Sequence, residues 1–252
     1  MDQYLYRQFF EIEEHFWWSV ATRRVFFQWI RELERNGSGR ALDVGCGTGI
    51  HLKEFPAGWQ LVAGCDYSEL ALSFCSERGL RALLRCDATR LPFANQAFNL
   101  VTALDVIEHL DDDEGCVREL ARVTRAGGHV LMHVPAFPAL WTDKDELSHH
   151  RRRYQRSALA SLAARCGLEV TRLFYINSLL FPLALLRATA QRLTRRRSAS
   201  APPPATAVDR LYRIPVALNR AMTALMELER RVIAHVPMPF GLSLVCLARK
   251  PA

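Results

Sequence analysis

From residue 40 onward the chain alternates short apolar runs with stretches of helical spacing. The runs are "RALDVGC", "LVAGCD", "RALLRCD", "FNLVTALD", "GHVLMHVP", "LEVTRLFYI" and "LSLVCLARK". Between most of them sit stretches with helical spacing, such as Leu70, Phe74 and Glu77, or Cys116 to Val123. Strands that alternate with helices predict an α/β fold, with a mostly parallel sheet covered by helices on both faces. Ligands of such a sheet bind beyond the carboxyl ends of its strands. Two stretches depart from the alternation. One is an N-terminal helical segment, residues 1–39; the other is a helical insertion, residues 177–240, which separates the core at 40–176 from the last strand at 241–252.

In the N-terminal segment, Phe16, Trp17, Val20, Phe27 and Ile30 form the apolar side of an amphipathic helix that packs on the core. His15, Phe16, Trp17 and Trp18 also suit a lid that excludes water, with Trp17 and Trp18 meeting substrate. The insertion opens with "LFYINSLLFPLALL", fourteen residues between Arg172 and Arg187 broken by Asn177 and Pro182, too short for a bilayer span. It runs into "RATAQRLTRRR", so residues 177–197 fit a peripheral membrane contact as well as a buried helix with a solvated tail. Residues 198–208 read as a linker. After it Leu211, Leu218, Met222, Leu225 and Val232 mark a helix starting at Pro215, with Arg220, Glu227, Arg230 and Arg231 opposite. This insertion reads as a cap for a hydrophobic acceptor.

Length and composition add bounds: 252 residues, half of them apolar, make one domain with extensions. The seven cysteines are scattered without metal-ligand spacing and read as reduced core residues. The acidic, aromatic N-terminus lacks the pattern of an export signal, so a cytoplasmic location is expected, at the inner face of the membrane if 177–197 makes its contact. The net charge of +7 gathers largely in Arg151–Arg153 and Arg195–Arg197.

The chemistry begins at "LDVGCGTG", residues 42–49. A dinucleotide fingerprint would need a glycine where Ile50 stands, and a phosphate loop would need Gly-Lys-Ser/Thr. What remains is a tight turn whose amides receive a polar ligand group. Asp66 ends the second run about twenty residues later, where a carboxylate can hold ribose hydroxyls. Asp87 closes the third run. Asp43, inside the first strand, reads equally as structural.

Five ordered stretches, "LDVGCGTG", "GCDYSELAL", "CDATRLPFANQAFNLV", "ALDVIEHLDD" and "ELARVTRAGGHVLMHVP", resemble the class I S-adenosylmethionine-dependent methyltransferases, and among them the subgroup of ubiquinone-biosynthesis methyltransferases. The resemblance implies a Rossmann-like sheet of seven strands and S-adenosyl-L-methionine as cofactor. Carried over, Gly45, Gly47 and Gly49 approach the methionine part and Asp43 orients it. Asp66 with Tyr67 takes the ribose, Asp87 and Ala88 the adenine, and Leu104 lines the pocket.

Methyl transfer to oxygen or to an acidic carbon needs a base. Asp105, Glu108 and His109 share one face if "DVIEHL" is helical, and the resemblance associates this segment with divalent metal and acceptor binding. Asp105 stands where those relatives often have glutamate, so metal use stays open and no residue is assigned as a ligand; Glu108 and His109 read equally as caps of the local loop. "DKDELSHHRRRY", residues 143–154, resembles a D-E-x-x-G-H-x-R-R-Y segment of the same enzymes, with His149 in place of glycine. It offers His150 as leading base, Tyr154 beside it, and Arg152 and Arg153 for an anionic acceptor group; a solvated basic helix start is the plain alternative. The expected function is methyl transfer to a hydrophobic small molecule, a phenolic or quinone-like ring or a lipid-linked anion. No nucleic-acid partner is expected, because the fourth strand lacks the Asn/Asp-Pro-Pro-aromatic motif of base-methylating enzymes. The alternatives are a nucleic-acid methyltransferase and a non-catalytic cofactor-binding, membrane-associated protein.

Overall fold

The computed structural model describes residues 3–34, 39–195, 214–233 and 236–252. The expected linker at 198–208, Arg196, Arg197 and Leu211 lie outside them. Seven strands form one sheet: β1 Arg40–Val44, β2 Leu61–Asp66, β3 Leu83–Arg85, β4 Phe98–Leu104, β5 Thr124–Pro135, β6 Glu169–Ile176 and β7 Ser243–Arg249. Their order is β3-β2-β1-β4-β5-β7-β6, and only β7 runs antiparallel to its neighbours. The fold is therefore the Rossmann-like, mostly parallel arrangement that the alternation predicts.

The helices are α1 Gln3–Ile12, α2 Trp17–Glu34, α3 Ile50–Lys53, α4 Glu69–Glu77, α5 Asp113–Val123, α6 Asp143–Leu147, α7 Arg156–Arg165, α8 Phe181–Arg195 and α9 Val216–Ile233. Because helices cover both faces, the central strands are apolar in consecutive positions. On β5, Val130 and Met132 join a core with Val117, Leu120 and Leu159, while Leu131 between them joins Phe26 and Ile30 of α2. Asp112 caps α5, accepting from the Gly115 amide at 2.8 Å. Gly127 and Gly128 lie within β5, where the pairing with β4 shifts register.

α9 begins after Pro215 as expected, yet its buried side is not the expected one. Met226 is 4% exposed, whereas Leu218 and Val232 are 49% and 39% exposed. The reason is a buried acid. Glu229 accepts hydrogen bonds from the Ser178 and Leu179 amides at 2.8 and 3.1 Å, groups that leave β6 without a strand partner. Arg230 meanwhile donates to Gln28 of α2 at 2.6 Å. Satisfying these polar groups turns the leucine stripe outward. Among the described residues no helix is long and apolar enough to cross a membrane.

Candidate active site

The carboxyl ends of β1, β2 and β4 meet at one edge. After Val44 the chain turns through Gly45, Gly47 and Gly49, all with positive φ. A Cβ on Gly45 would strike Val106 at 2.5 Å, and one on Gly49 would strike Leu80 and Cys75 at 2.6 and 2.8 Å. A Cβ on Gly47 would meet nothing within 4 Å, so this position faces open space where a ligand can approach the backbone. Asp66 binds the same turn: its Oδ2 accepts from the Gly47 amide at 2.9 Å and its Oδ1 from the Ser68 amide at 2.8 Å. Burial raises the Asp66 carboxyl above its usual range, with the Ser68 and Gly47 amides pulling the other way.

Asp43 lies beneath the turn. Its Oδ1 accepts from the Thr102 hydroxyl at 2.6 Å, while its Oδ2 is buried without a hydrogen-bond partner. Burial pushes the carboxyl up to about 7, the Thr102 bond opposing and the charge of Asp66 adding. An orphaned acceptor beside an open glycine turn fits a cofactor that brings an ammonium group. Tyr67 is exposed beside Arg85, and Ala88 is half-buried. Asp87 follows the end of β3 by two residues and binds the Thr89 amide and hydroxyl at 2.8 and 2.7 Å. Leu104 is buried in the cluster under α2.

Across the edge, the segment after β4 meets residues 143–154. Ile107–His109 forms a single 3₁₀ turn. The His109 and His150 rings lie 4.9 Å apart, and Glu108, His109 and His150 each offer a ligand atom within 4.8 Å of the others. Both Glu108 oxygens are buried and without a hydrogen-bond partner. Burial, then the charge of Asp105, raises Glu108 well above the usual carboxylate range. Burial, then His150, pushes His109 down to about 4.

His150 is oriented from behind. Its Nδ1 lies 2.9 Å from Asp145 Oδ1, which leaves Nε2 for a ligand or an acceptor. The buried Asp145 also accepts from Arg153 at 2.7 and 3.0 Å and from the Thr142 amide at 2.8 Å. Burial works against its charge, but the bonds from His150 and Arg153 outweigh it and hold the carboxyl at about 2.

Three expected site residues have other duties. Arg153 is spent on Asp145 and, at 3.0 Å, on the Ala136 carbonyl. Arg152 pairs with Asp113 at 2.9 Å and donates to the Leu110 and Asp111 carbonyls. Tyr154 is buried, and its hydroxyl donates to Asp113 at 2.7 Å. These bonds share one cause: the loop between α6 and α7 must bury several polar groups, and its own basic residues satisfy them. Trp17 opens α2, its amide bound to Asn219 of α9 at 2.9 Å. Trp18 stands with Lys144, whose ammonium lies 5.3 Å from its ring centre, so it borders the α6 loop.

Asp105 is the residue that sequence reasoning undervalued. It has φ +57, a left-handed conformation that costs energy for a non-glycine residue. Its side chain is 52% exposed at the centre of the site, and its Oδ1 lies 2.8 Å from Nδ1 of the buried His133. The charge of His133, then those of His150 and His109, hold its carboxyl at about 2. Its spacing to Glu108 and His109 marked it in the sequence, but its partner His133 lies on another strand.

An open, mostly parallel sheet with a glycine turn on one strand end and an acid on the next defines a cofactor-binding α/β protein. Residues 42–132 match the model of the family described as "Methyltransferase domain". Over 95 residues the chain is 36% identical to a mouse protein named probable tRNA methyltransferase 9B, covering 36% of this chain and 21% of that one. Over 110 residues it is 32% identical to the ubiquinone biosynthesis O-methyltransferase of Bordetella bronchiseptica, covering 41% and 46%. The chain thus spans less than half of the length of either relative. A solved structure of Haemonchus contortus phosphoethanolamine N-methyltransferase 2 with S-adenosyl-L-methionine shares the fold, with a TM-score of 0.55, 19% identity, and coverage of 98% of this chain and 60% of that one. The expectation that excluded a nucleic-acid partner does not stand, since relatives of this domain include proteins named as tRNA methyltransferases.

Proposed function

We propose that this chain is an S-adenosylmethionine-dependent methyltransferase acting on a phenolic or quinone-like acceptor, with His150 as general base. The observation that carries the proposal is the Asp145–His150 pair at 2.9 Å, on the sheet edge that holds the Gly47 turn and Asp66. The cofactor supplies an activated methyl group on a sulfonium. Gly47 presents its backbone to the methionine part, Asp43 Oδ2 receives the ammonium, and Asp66 takes the ribose hydroxyls. Asp105 and His109 stand beside His133 and His150 on the same edge. With the cofactor bound, its activated methyl would pass to the acceptor, and His150 Nε2 would take the proton that the acceptor gives up. Asp145 keeps the required tautomer in place. An open groove of about 840 Å³ between β6 and the start of α7 begins beside this loop; Phe137, Leu173 and Tyr175 line it together with Arg156 and Arg172, which suits a ring acceptor that carries an anionic group.

Labelled methyl transfer into lipid, soluble small-molecule and tRNA fractions of cells tests the reading. Label in an organic-soluble phenol, lost in Asp66→Ala and reduced about 100-fold or more in His150→Ala, is expected. Label in tRNA alone would overturn the acceptor class.

A divalent cation on Glu108, His109 and His150 is a second reading, favoured by the two buried, unpartnered Glu108 oxygens. His150 would then be a ligand rather than the base. Chelation followed by restoration with Mg²⁺, Mn²⁺ or Zn²⁺ separates the two: unchanged transfer after chelation supports the base.

A further inference from the structure

Thr48 lies between the open Gly47 and the packed Gly49, and its hydroxyl and its carbonyl are each held from outside the core. Its hydroxyl donates to Glu13, which follows α1, and its carbonyl accepts from Arg78 Nε at 2.9 Å. Arg78, at the end of α4 and with a side chain only 3% exposed, also donates to Glu13 at 2.5 Å and Glu14 at 2.6 Å, and to the Phe10 carbonyl at 3.2 Å. Its guanidinium lies 4.4 Å from the centre of the Phe10 ring. Two charges and a hydroxyl are thus buried where an apolar contact would pack the same helix at no desolvation cost.

The arrangement leads to the ligand edge. Thr48 adjoins Gly47, whose amide donates to Asp66, and Tyr6 on the same α1 lies beside Asp66 and Ser68. α1 therefore touches both strand ends that frame the open space at Gly47.

Resting on the cofactor reading above, we infer that Glu13 and Arg78 are cofactor-positioning residues: they fix the Thr48 peptide, hold the Gly47 turn in its receiving form, and fasten α1 across it. The clasp ties the entry and exit of cofactor to the N-terminal helix. It was absent from sequence reasoning because its parts are 35 and 30 residues from Thr48, on elements without a shared motif.

The test uses the whole chain and S-adenosylhomocysteine. Glu13→Gln and Arg78→Met are expected to raise its dissociation constant and the KM for S-adenosylmethionine about tenfold, through faster release, with kcat at saturation within about twofold. Arg78→Lys restores part of the affinity. Hydrogen exchange of wild-type residues 3–12 is expected to slow when S-adenosylhomocysteine binds, a readout that needs no variant to fold. Unchanged affinity and release in folded Glu13→Gln, or exchange in α1 indifferent to bound ligand, overturns the clasp. A wild-type chain that binds no S-adenosylhomocysteine overturns the cofactor reading itself.

Discussion

His150 and Asp43 show how much a single side chain owes to what stands behind it. His150 acts only if Asp145 holds Nδ1, so Asp145→Asn, which can still hydrogen-bond but cannot balance Arg153, is expected to lower kcat about tenfold or more with little change in cofactor KM. Steady-state kinetics on both substrates checks this. Asp43 gives a pH signature. Its carboxyl rises from the usual 3.8 to about 7 on folding. Between those values the folded protein keeps a proton that the unfolded chain has released, so the group's stabilising contribution is full below about 4 and declines as pH rises through about 7. The melting temperature of the wild type relative to Asp43→Asn should therefore fall from pH 5 to pH 8; parallel curves would contradict it. Glycines and strand-end acids were legible because their chemistry is local to the chain. The duties of Arg152, Arg153 and Tyr154 were not, since each depends on Asp113 or Asp145, residues whose proximity only the fold creates.

At the scale of elements, the glycine turn and α9 make contrasting cases. Gly47→Ala meets no neighbour and pays only for its left-handed backbone, about 1–2 kcal/mol, while it fills the approach to the cofactor. Gly49→Ala adds collisions with Leu80 and Cys75, so it should melt well below Gly47→Ala in thermal unfolding. For α9 the helical period was readable, as was its start after Pro215. Its orientation was not: periodicity marks an apolar stripe but says nothing of the Ser178 and Leu179 amides that draw Glu229 inward. Met226→Ala should cost ~3 kcal/mol, and Leu225→Ser, on the outward stripe, within about 0.5 kcal/mol.

For the molecule as a whole, seven apolar runs alternating with helices were enough to anticipate one open sheet, because buried parallel strands leave a strong mark on sequence. The site is assembled from farther apart. The end of β1 brings the turn, β2 brings Asp66, β4 brings Asp105, the α6 loop brings His150, and α1 closes the outer side through Glu13. Calorimetric titration of S-adenosylhomocysteine into the wild type and Asp66→Ala tests whether this edge holds S-adenosylmethionine. Saturable one-to-one binding that weakens about 100-fold when the carboxylate is removed is expected; no binding to the folded wild type, or equal affinity in both proteins, would show that the edge is not the cofactor's seat.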